Sequence, residues 1–541
     1  MPVAVAEIFH PVIERWFRSR FGEPTEIQRR AWPEIAAGHH VLVTAPTGSG
    51  KTLTAFLWAL DRLLTGAWEG GRLRALYVSP LKALNNDIRK NLLGPLAELQ
   101  TVFSDAGADT GKTVPSVRVM TRSGDTPNRE RQRMIRQPPE ILITTPESLN
   151  ILLTSRGGRS LLEGIRTVIL DEIHAVAASK RGTHLVTAVE RLVPLSGEFQ
   201  RLALSATVRP VERIARFVGG YQTCEVGGAV EHRPRPVRIV RSGETKRYEV
   251  RVVAPAAPLV VRSIERPGDE ANGSLEAERR ELGSRRDTND EESKWEALVG
   301  AFKKAIAGNR STLIFANSRR ATEKLTRLLN DGESAEVAYS HHGSLSREIR
   351  TVVEQRLKEG RLSAIVATSS LELGIDIGAL DEVLLLATPP TVASTIQRIG
   401  RSGHGVGEVS KGQLFPFFDR DFLDAAVMAR CVLEDDLEEV RPIHAPLDVL
   451  AQVILSMVAT ETWRLDDLFE QIRSSEPYNR LPRRQFDLVI EMLAGRYAES
   501  RIRELQPQIS LDRIDGTVHG RRGAARRVYM GGGTIPDRGY F

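Results

Sequence analysis

Cysteine and long apolar runs are nearly absent from this sequence. Cys224 and Cys431 are its 2 cysteines, and they lie far apart. So few thiols argue against a disulfide framework and against a zinc module, and they fit a reducing cytosol. No apolar run approaches the roughly 20 residues that cross a bilayer, and residues 1–16 lack the basic region and apolar stretch of a signal peptide. We therefore expect a cytoplasmic protein with no membrane partner.

Positive and negative charges are nearly balanced in this sequence. The 75 Lys and Arg residues against 69 Asp and Glu residues give a net charge of +6 over 541 residues. This balance fits a polyanionic partner and fits a mildly basic enzyme equally well. At roughly 150 residues per domain, the length predicts three or four domains.

Short, almost wholly apolar runs recur in the first part of the chain, each followed by a longer amphipathic stretch. Candidate strands cover residues 40–45, 74–79, 140–145, 167–170 and 201–205. Apolar runs without alternation are typical of parallel strands that are covered on both faces. The strand-then-helix order predicts an α/β domain with a doubly wound parallel sheet. The pattern returns at residues 311–316, 363–368 and 382–387, which predicts a second α/β domain.

The other segments differ in texture from these two domains. Residues 265–292 are rich in charge and glycine, which predicts a flexible insertion; a functional charged tail is the less favoured alternative. After residue 430 the amphipathic stretches 446–460, 464–473 and 483–495 predict three helices of a winged-helix-type module. The sequence stops soon after a glycine-rich stretch, which we interpret as a truncated protein.

These patterns predict five segments. They are a first α/β domain at 1–235, a connection with the insertion at 236–292, a second α/β domain at 293–430, a winged-helix-type module at 431–510 and the start of an incomplete further domain at 511–541.

The strongest local signal is APTGSGKT at residues 45–52, which follows an apolar strand and opens a helix. This context is typical of a phosphate-binding loop, even though Ala45 replaces the first glycine of the strict pattern. Glycines let backbone N–H groups turn toward phosphate oxygens, the lysine supplies a positive charge, and the threonine hydroxyl binds magnesium. The predicted loop residues are Thr47, Gly48, Ser49, Gly50, Lys51 and Thr52. Residues 106–113 (AGADTGKT) fit the same relaxed pattern, but no apolar strand precedes them and Pro115 blocks a following helix.

An acidic pair follows the strand at 167–170 directly, in the sequence DEIH at 171–174. A carboxylate at the carboxyl end of a parallel strand faces the crevice where ligands bind. Asp171 can hold magnesium through water, and Glu172 can orient and deprotonate the attacking water. Alone, such a pair is as often a helix cap; together with the loop at 45–52 it predicts a catalytic site.

Arginines cluster in IQRIGRSGH at residues 396–404 of the second α/β domain. Gln397, Arg398 and Arg401 are candidate catalytic residues, because arginine stabilises charge that develops on a γ-phosphate. A solvated, arginine-rich start of a helix is the alternative.

The chain resembles superfamily 2 helicases in nine segments, which occur in the expected order. They are PTEIQ (24–28), APTGSGKT, SPLKALNN (79–86), TTPESL (144–149), DEIH, SAT (205–207), LIFANSRR (313–320), TSSLELGIDI (368–377) and QRIGRSGH (397–404). Within that superfamily it is most similar to the Lhr, or large helicase-related, family of DEAD/DEAH-box helicases. The features that carry this likeness are residues 171–185, HHGSLSRE at 341–348, SSLELGIDIG at 369–378, the terminal His404 of QRIGRSGH and GGTIPDRG at 532–539.

The resemblance implies two tandem RecA-like domains followed by a winged-helix-type module, with ATP and Mg²⁺ as cofactors. It implies that Gln28 reads adenine and that Gly374 and Asp376 contact the nucleotide. It assigns to Ser205, Ala206 and Thr207 the coupling of hydrolysis to strand movement. His174, His341, His342 and His404 do not have the spacing of a zinc site, so no metal cluster is expected.

Loops at one edge of both sheets are expected to grip the nucleic acid, because their hydroxyl and backbone N–H groups suit phosphate contacts. Each loop alone could be an ordinary turn between a strand and a helix. The predicted contacts are Ser79, Pro80, Lys82, Arg122, Gly124, Asp125, Thr145, Pro146, Glu147, Asn317, Ser318, Arg319, Thr368 and Ser369. Residues 496–541 carry 9 arginines against 5 acidic residues, which favours a further nucleic-acid contact; a solvated basic face is the alternative.

The function that the resemblance implies is an ATP-dependent 3′-to-5′ translocase on single-stranded DNA. It would unwind DNA or RNA:DNA duplexes in DNA repair. An RNA helicase is the first alternative, since these motifs do not encode sugar preference. A scaffold with an inactive motor and a truncated ATPase that unwinds weakly are the others. The sequence does not indicate an oligomeric state.

Overall fold

The computed structural model describes residues 8–46, 48–80, 82–108, 115–243, 246–254, 275–345, 349, 352–353, 355–356, 359, 362–372, 380–403, 408–418, 421–496 and 507–531, with the backbone alone over 82–91, 106–108 and 275–290. Tertiary contacts divide the chain into two compact units, Met1–Thr245 with Glu439–Phe541, and Lys246–Glu438. Among the described residues, no helix is both long and apolar enough to cross a membrane.

The first unit begins with an α/β domain. Its strands are β1 (His40–Thr44), β2 (Ala75–Val78), β3 (Val119–Arg122), β4 (Ile141–Thr144), β5 (Thr167–Leu170), β6 (Gln200–Ser205), β7 (Tyr221–Val226), β8 (Ala229–Pro234) and β9 (Val237–Arg241). Its helices are α1 (Pro11–Phe21), α2 (Glu26–Ala36), α3 (Lys51–Leu64), α4 (Lys82–Ala108), α5 (Asn128–Arg136), α6 (Pro146–Leu153), α7 (Arg156–Leu161), α8 (His174–Ala177), α9 (Lys180–Glu190), α10 (Val193–Ser196) and α11 (Val211–Gly219).

Seven of these strands form one parallel sheet in the order β3-β4-β2-β5-β6-β1-β9, and β7 and β8 form a separate antiparallel hairpin. Successive side chains of β1 point to opposite faces, so Val41 and Val43 join one apolar core and Leu42 joins the other. Because helices bury both faces, the strands β1, β2, β4 and β5 are almost wholly apolar, as predicted.

The second unit is an α/β domain of its own. Its elements are β10 (Arg247–Val252), α12 (Leu275–Gly308), β11 (Thr312–Ala316), α13 (Arg319–Asn330), β12 (Ala338–His341), β13 (Ala364–Ala367), a 3-10 turn (Ser369–Leu371), β14 (Glu382–Leu386), α14 (Val392–Ile399), β15 (Val409–Phe415) and α15 (Asp421–Glu434). Six parallel strands follow the order β10-β15-β14-β11-β13-β12. The prediction of two doubly wound parallel-sheet domains is confirmed.

The connection predicted at 236–292 contributes more regular structure than its sequence suggested. Strand β9 pairs with β1 at the edge of the first sheet, and β10 pairs with β15 at the edge of the second. Both strands mix apolar and charged residues, and in β10 the two kinds alternate, which is typical of half-buried edges. Residues 275–292 begin α12, whereas the sequence predicted a flexible segment there. Their many Leu, Glu, Ala and Arg residues favour a helix without burial; residues 265–274 lie outside the described residues.

A winged-helix module completes the first unit. It comprises α16 (Leu447–Val458), β16 (Trp463–Arg464), α17 (Leu465–Arg473), a 3-10 turn (Glu476–Tyr478), α18 (Arg483–Leu493), β17 (Ile509–Asp512), β18 (Thr517–Gly520) and α19 (Ala524–Met530). The three strands form one antiparallel sheet in the order β16-β18-β17. That sheet includes residues on both sides of the predicted limit at 510, so residues 511–520 belong to the module.

The module packs against the first α/β domain through buried polar contacts. Ser456 Oγ lies 2.7 Å from Thr154 Oγ1 and accepts a 2.9 Å hydrogen bond from an Arg191 guanidinium N–H. At the rim, Arg159 forms a bidentate pair with Glu461, at 2.7 and 2.9 Å. Buried polar groups need partners, and these ones find them across the two parts of the unit.

Candidate functional site

The predicted phosphate-binding loop lies between β1 and α3. Gly48 and Gly50 both have a φ of +83°, a left-handed conformation that side chains disfavour. Lys51 is the first residue of α3, and its Nζ donates hydrogen bonds to the carbonyls of Ala45 (2.6 Å) and Pro46 (2.7 Å). The ammonium group is thus held inside the curl of the loop, at a helix N-terminus that favours anions.

Gln28 lies against this loop. It forms a capping box with Thr25 at the start of α2, where the Thr25 N–H donates to Gln28 Oε1 at 3.0 Å and the Gln28 N–H donates to Thr25 Oγ1 at 3.4 Å. Thr25 Oγ1 also donates to the carbonyl of Ser49 at 3.1 Å. A Cβ on Gly50 would lie 2.8 Å from Gln28 Nε2, so this glycine permits the close approach.

The other loop residues shape the turn. Ser49 is buried, and its hydroxyl donates to the Pro46 carbonyl at 2.8 Å. Thr52 is half-buried in the first turn of α3. Thr47 lies outside the described residues.

Asp171 and Glu172 follow β5 and are both buried. The Asp171 N–H donates to the Val78 carbonyl at 3.0 Å, which continues the pairing of β5 with β2. The Glu172 N–H donates to Asp171 Oδ1 at 2.8 Å, and the Tyr77 hydroxyl donates to Asp171 Oδ2. Glu172 itself has a φ of +48°, an unusual conformation that turns the chain sharply after the strand.

Opposing effects act on the pKa of Asp171. Burial raises the pKa of Asp171 to about 7, and the neighbouring Glu172 carboxylate adds to this effect. The hydrogen bond from Tyr77 and the positive charge of Lys51 act in the opposite direction on that pKa. The carboxyl oxygens are hard donors of the type that Mg²⁺ prefers, and a divalent cation would favour their ionised form.

His174 links the acidic pair to the segment that follows β6. Its Nδ1 accepts a hydrogen bond from the Ala206 N–H at 3.1 Å and lies 3.4 Å from the hydroxyl oxygen of Ser205. Glu172 Oε2 lies 3.4 Å from the same nitrogen. Thr207 is exposed. The structure therefore brings the DEIH segment and two of the three predicted coupling residues together.

Arg398 and Arg401 are buried in the second unit, on and just after α14. Arg398 donates to Glu372 Oε2 at 2.9 Å and to Asn317 Oδ1 at 3.0 Å. Arg401 donates to the carbonyl of Glu372 through Nε (3.1 Å) and a terminal N–H (2.8 Å). Gln397 is half-buried. Three motif segments of this domain thus meet at Arg398, while Gly374, Asp376 and His404 lie outside the described residues.

The predicted nucleic-acid contacts of the first unit follow β2, β3 and β4, which are adjacent in the sheet. Ser79 is buried, and its N–H donates to the Thr144 carbonyl at 3.0 Å. Arg122 is buried and donates to the Ser123 carbonyl at 2.7 Å. Burial, followed by the charge of Arg131, lowers the pKa of Arg122 to about 10. Of the others, Pro80 is buried, Gly124 and Asp125 are exposed, and the side chain of Lys82 lies outside the description.

Thr145, Pro146 and Glu147 begin α6, with Thr145 as its N-cap. The Arg181 guanidinium binds the Glu147 carboxylate in a bidentate pair, at 2.5 and 3.0 Å. Burial alone would raise the pKa of Glu147, but the hydrogen bond and charge of Arg181 hold it below its usual value. The carboxylate thus anchors the segment to α9.

The corresponding segments of the second unit follow β11 and β13, again neighbours in their sheet. Asn317 Nδ2 donates to the Thr388 carbonyl at 2.9 Å, and Ser318 is the N-cap of α13. The Thr368 N–H donates to the His341 carbonyl at 3.2 Å. Arg319 is exposed, and Ser369 starts a 3-10 turn.

Sequence reasoning missed four contacts that hold the predicted residues in place. They come from Tyr77, His174, Arg181 and Glu372. Tyr77 carried a usable signal, because a hydroxyl in an otherwise apolar strand needs a buried partner. Among the described residues, no three His, Cys, Asp or Glu side chains gather as metal ligands.

Family models match three parts of the chain. They are DEAD/DEAH box helicase over residues 25–214, helicase conserved C-terminal domain over 293–405, and the winged helix domain of large helicase-related protein over 430–541. The last match spans the limit at 510 that the sequence predicted.

Known proteins resemble the chain along nearly its whole length. It is 40% identical to the Lhr helicase/uracil glycosylase of Escherichia coli (strain K12), over 99% of this chain and 35% of that protein. It is 39% identical to the ATP-dependent helicase Lhr-Core of Methanothermobacter thermautotrophicus, over 99% of this chain and 58% of that protein. The chain therefore spans between about a third and three fifths of the length of these relatives.

A solved structure extends the likeness to three dimensions. The structure of Mycobacterium smegmatis helicase Lhr bound to ssDNA and AMP-PNP matches with a TM-score of 0.82 at 41% identity, over 98% of this chain and 63% of that chain. The two RecA-like domains, the winged-helix module and the motif set agree with these matches. The chain belongs to the Lhr, or large helicase-related, family of DEAD/DEAH-box helicases.

Proposed function

We propose that the protein is an ATP-dependent nucleic-acid helicase that moves 3′-to-5′ along single-stranded DNA. The observation that carries the proposal is the convergence of Lys51, Asp171 and Glu172 at the carboxyl edge of one parallel sheet. A related helicase bound to ssDNA and AMP-PNP gives independent support.

ATP would bind with its phosphates at the glycine loop. Lys51 neutralises charge on the β- and γ-phosphates, and the N–H groups at the start of α3 donate to phosphate oxygens. Thr52 and Asp171 would hold Mg²⁺, which neutralises the developing charge and orients the phosphates. Glu172 orients the attacking water toward the γ-phosphorus and accepts a proton from that water.

The remaining nucleotide roles rest on the motifs. Gln28 reads the adenine edge, which fits its position beside Gly50. Arg401 stabilises charge on the γ-phosphate, with Gln397 and Arg398 in the same motif, and Gly374 and Asp376 complete the nucleotide contacts. The hydrogen bonds from Arg398 to Glu372 and to Asn317 fix the position of this motif within its domain.

Nucleic acid would bind along the loops that follow β2, β3 and β4, and along those that follow β11 and β13. Turns, caps and hydroxyl groups dominate these loops, so they would contact phosphates and position the strand without reading its sequence. Such contacts give no preference for deoxyribose, and the choice of DNA over RNA rests on the family. Arg521, Arg522, Arg526 and Arg527 are exposed on and next to α19 and would add charge to this path.

ATP hydrolysis with and without single-stranded DNA tests the catalytic assignment. Glu172→Gln should lower stimulated turnover by roughly 10²–10⁴-fold, the contribution of a positioned acid–base group. Lys51→Ala should abolish turnover, because the β- and γ-phosphates lose the positive charge that binds them. Lys112→Ala is a matched control, because Lys112 belongs to the other GKT sequence, at residues 106–113. Strong stimulated turnover by either variant would reject the assignment.

Unwinding assays separate the substrates. The substrates are matched DNA, RNA and RNA:DNA duplexes, each with a 3′ or a 5′ single-stranded tail. We expect unwinding only of those duplexes that have a 3′ tail and a DNA tracking strand. Preference for an RNA tracking strand would favour the RNA helicase, and hydrolysis without unwinding would favour a nucleic-acid-stimulated ATPase.

A further inference from the structure

Tyr77 is a fully buried tyrosine on β2, one strand away from the acidic pair. Its hydroxyl donates to Asp171 Oδ2, while Asp171 Oδ1 accepts the Glu172 N–H at 2.8 Å. Both carboxylate oxygens are therefore bound from within the protein. Each oxygen has two lone pairs, so each keeps one for a further partner.

The ring of Tyr77 is fixed as well. It stacks on Phe56, with ring centroids 5.0 Å apart and planes at 27°. Phe56 lies on α3, the helix that begins with Lys51. The same stack thus connects the helix of the phosphate loop, through one tyrosine, to the carboxylate after β5. A ring with only two side-chain torsions, packed on one face, gives its hydroxyl little freedom to move.

We propose that Tyr77 is a positioning residue for the nucleotide site, and that its hydroxyl holds Asp171 in the rotamer that receives Mg²⁺. This inference rests on the proposed function. A carboxylate that binds a metal through water needs a fixed direction, and groups hydrogen-bonded to such ligands commonly set it. Without the hydroxyl, Asp171 would keep its burial but lose one of the two donors that orient it.

The test is Mg²⁺-dependent binding of a fluorescent ATP analogue to the full chain. Tyr77→Phe keeps the ring and its stack on Phe56 and removes only the oxygen. The Mg²⁺ concentration at half-maximal binding should rise about tenfold or more, the usual effect of removing such a partner. Binding of the analogue in excess EDTA should stay unchanged, because Lys51 and the loop are untouched.

Tyr478→Phe is the matched control. Tyr478 is equally buried, and its hydroxyl donates to the Pro446 carbonyl at 2.9 Å in the winged-helix module, away from the nucleotide motifs. It loses the same kind of hydrogen bond and should leave the Mg²⁺ dependence unchanged. Two results would show that Tyr77 has only a structural role. One is an equal rise of the half-maximal Mg²⁺ concentration in both variants, and the other is loss of analogue binding in EDTA by Tyr77→Phe.

The result also separates this inference from the proposed function. If the wild-type chain shows no Mg²⁺-dependent nucleotide binding, the nucleotide site itself is wrong. If the wild-type chain binds and Tyr77→Phe binds with the same Mg²⁺ dependence, only the positioning role is overturned.

Discussion

Replacing Glu190 by glutamine should destabilise the first α/β domain severely. Glu190 ends α9 with only 2% of its side chain exposed, and it accepts hydrogen bonds from two buried arginines. Arg201 donates to it at 2.5 and 3.0 Å, and Arg235 donates at 3.1 and 3.3 Å. The Glu190 carboxylate is also packed tightly against the backbone of Gly220, since a Cβ added to that glycine would lie 2.0 Å from Glu190 Oε1.

The magnitude follows from the charges. Glu190 is the carboxylate that pairs with Arg201, a fully buried guanidinium. An amide of the same shape would take this negative charge away from Arg201 and would point an N–H group at an N–H donor, whereas Arg235 would keep its pair with Glu198. Breaking a buried ion pair from one side costs about 3–5 kcal/mol. In a domain of this size, that loss corresponds to a fall in Tm of about 10 °C.

Urea and thermal unfolding followed by tryptophan fluorescence would measure the loss. The four tryptophans Trp16, Trp32, Trp58 and Trp68, of 6 in the chain, lie in the first α/β domain, so the signal mostly reports that domain. Glu198→Gln is the control, because Glu198 also pairs with Arg235 but has 39% of its side chain exposed. Because Arg235 would keep its buried pair with Glu190, this change should cost less than the change at Glu190. Equal effects of the two substitutions would refute the reasoning.

Two further predictions concern the same domain. Burial, followed by the charge of Arg191, lowers the pKa of His184 to about 4, so the unfolded chain takes up the proton first as pH falls. With an unfolded pKa of about 6.5, His184 should contribute a loss of about 2 kcal/mol in the free energy of unfolding between pH 7 and pH 5. Urea titrations at both pH values measure the loss, and an equal loss in His184→Gln and in the wild-type chain would contradict this contribution. Arg181→Met should weaken single-stranded DNA binding roughly tenfold by releasing Glu147 and the start of α6, with nucleotide binding unchanged. Equal losses in both binding assays would instead indicate general unfolding.

The parts of the candidate site that could be predicted from the sequence are short motifs whose residues are adjacent in the chain. The loop at 45–52 and the pair Asp171–Glu172 each follow an apolar strand directly, so sequence order alone places them at the carboxyl edge of a sheet. Which strands lie side by side is a different matter. Tyr77 reaches Asp171 only because β2 and β5 are neighbours, and 94 residues separate the two. Periodicity carries no information about that order.

The limits of the domains were harder to predict for a similar reason. Strands β9 and β10 are short and contain several charged residues, so their sequences resemble connecting segments, and only pairing at a sheet edge makes them strands. Strand β18 likewise becomes part of a sheet by pairing with β16, over 40 residues earlier in sequence, and β17 joins that sheet by pairing with β18. In both cases the deciding interaction is a backbone ladder with a distant segment, which side-chain patterns do not reveal.

Helix α9 connects the features that the sequence presented separately. It follows the DEIH segment, its Arg181 anchors Glu147, and its far end carries Glu190. Lys180 pairs at 2.7 Å with Asp448 in α16 of the winged-helix module, and the Thr183 hydroxyl donates at 3.0 Å to the Ile443 carbonyl just before that helix. A movement of α9 against its sheet would break ion pairs and buried hydrogen bonds at once. The segment at residues 145–147, a predicted nucleic-acid contact, and the winged-helix module therefore both depend on α9, so a displacement of this helix would act on both.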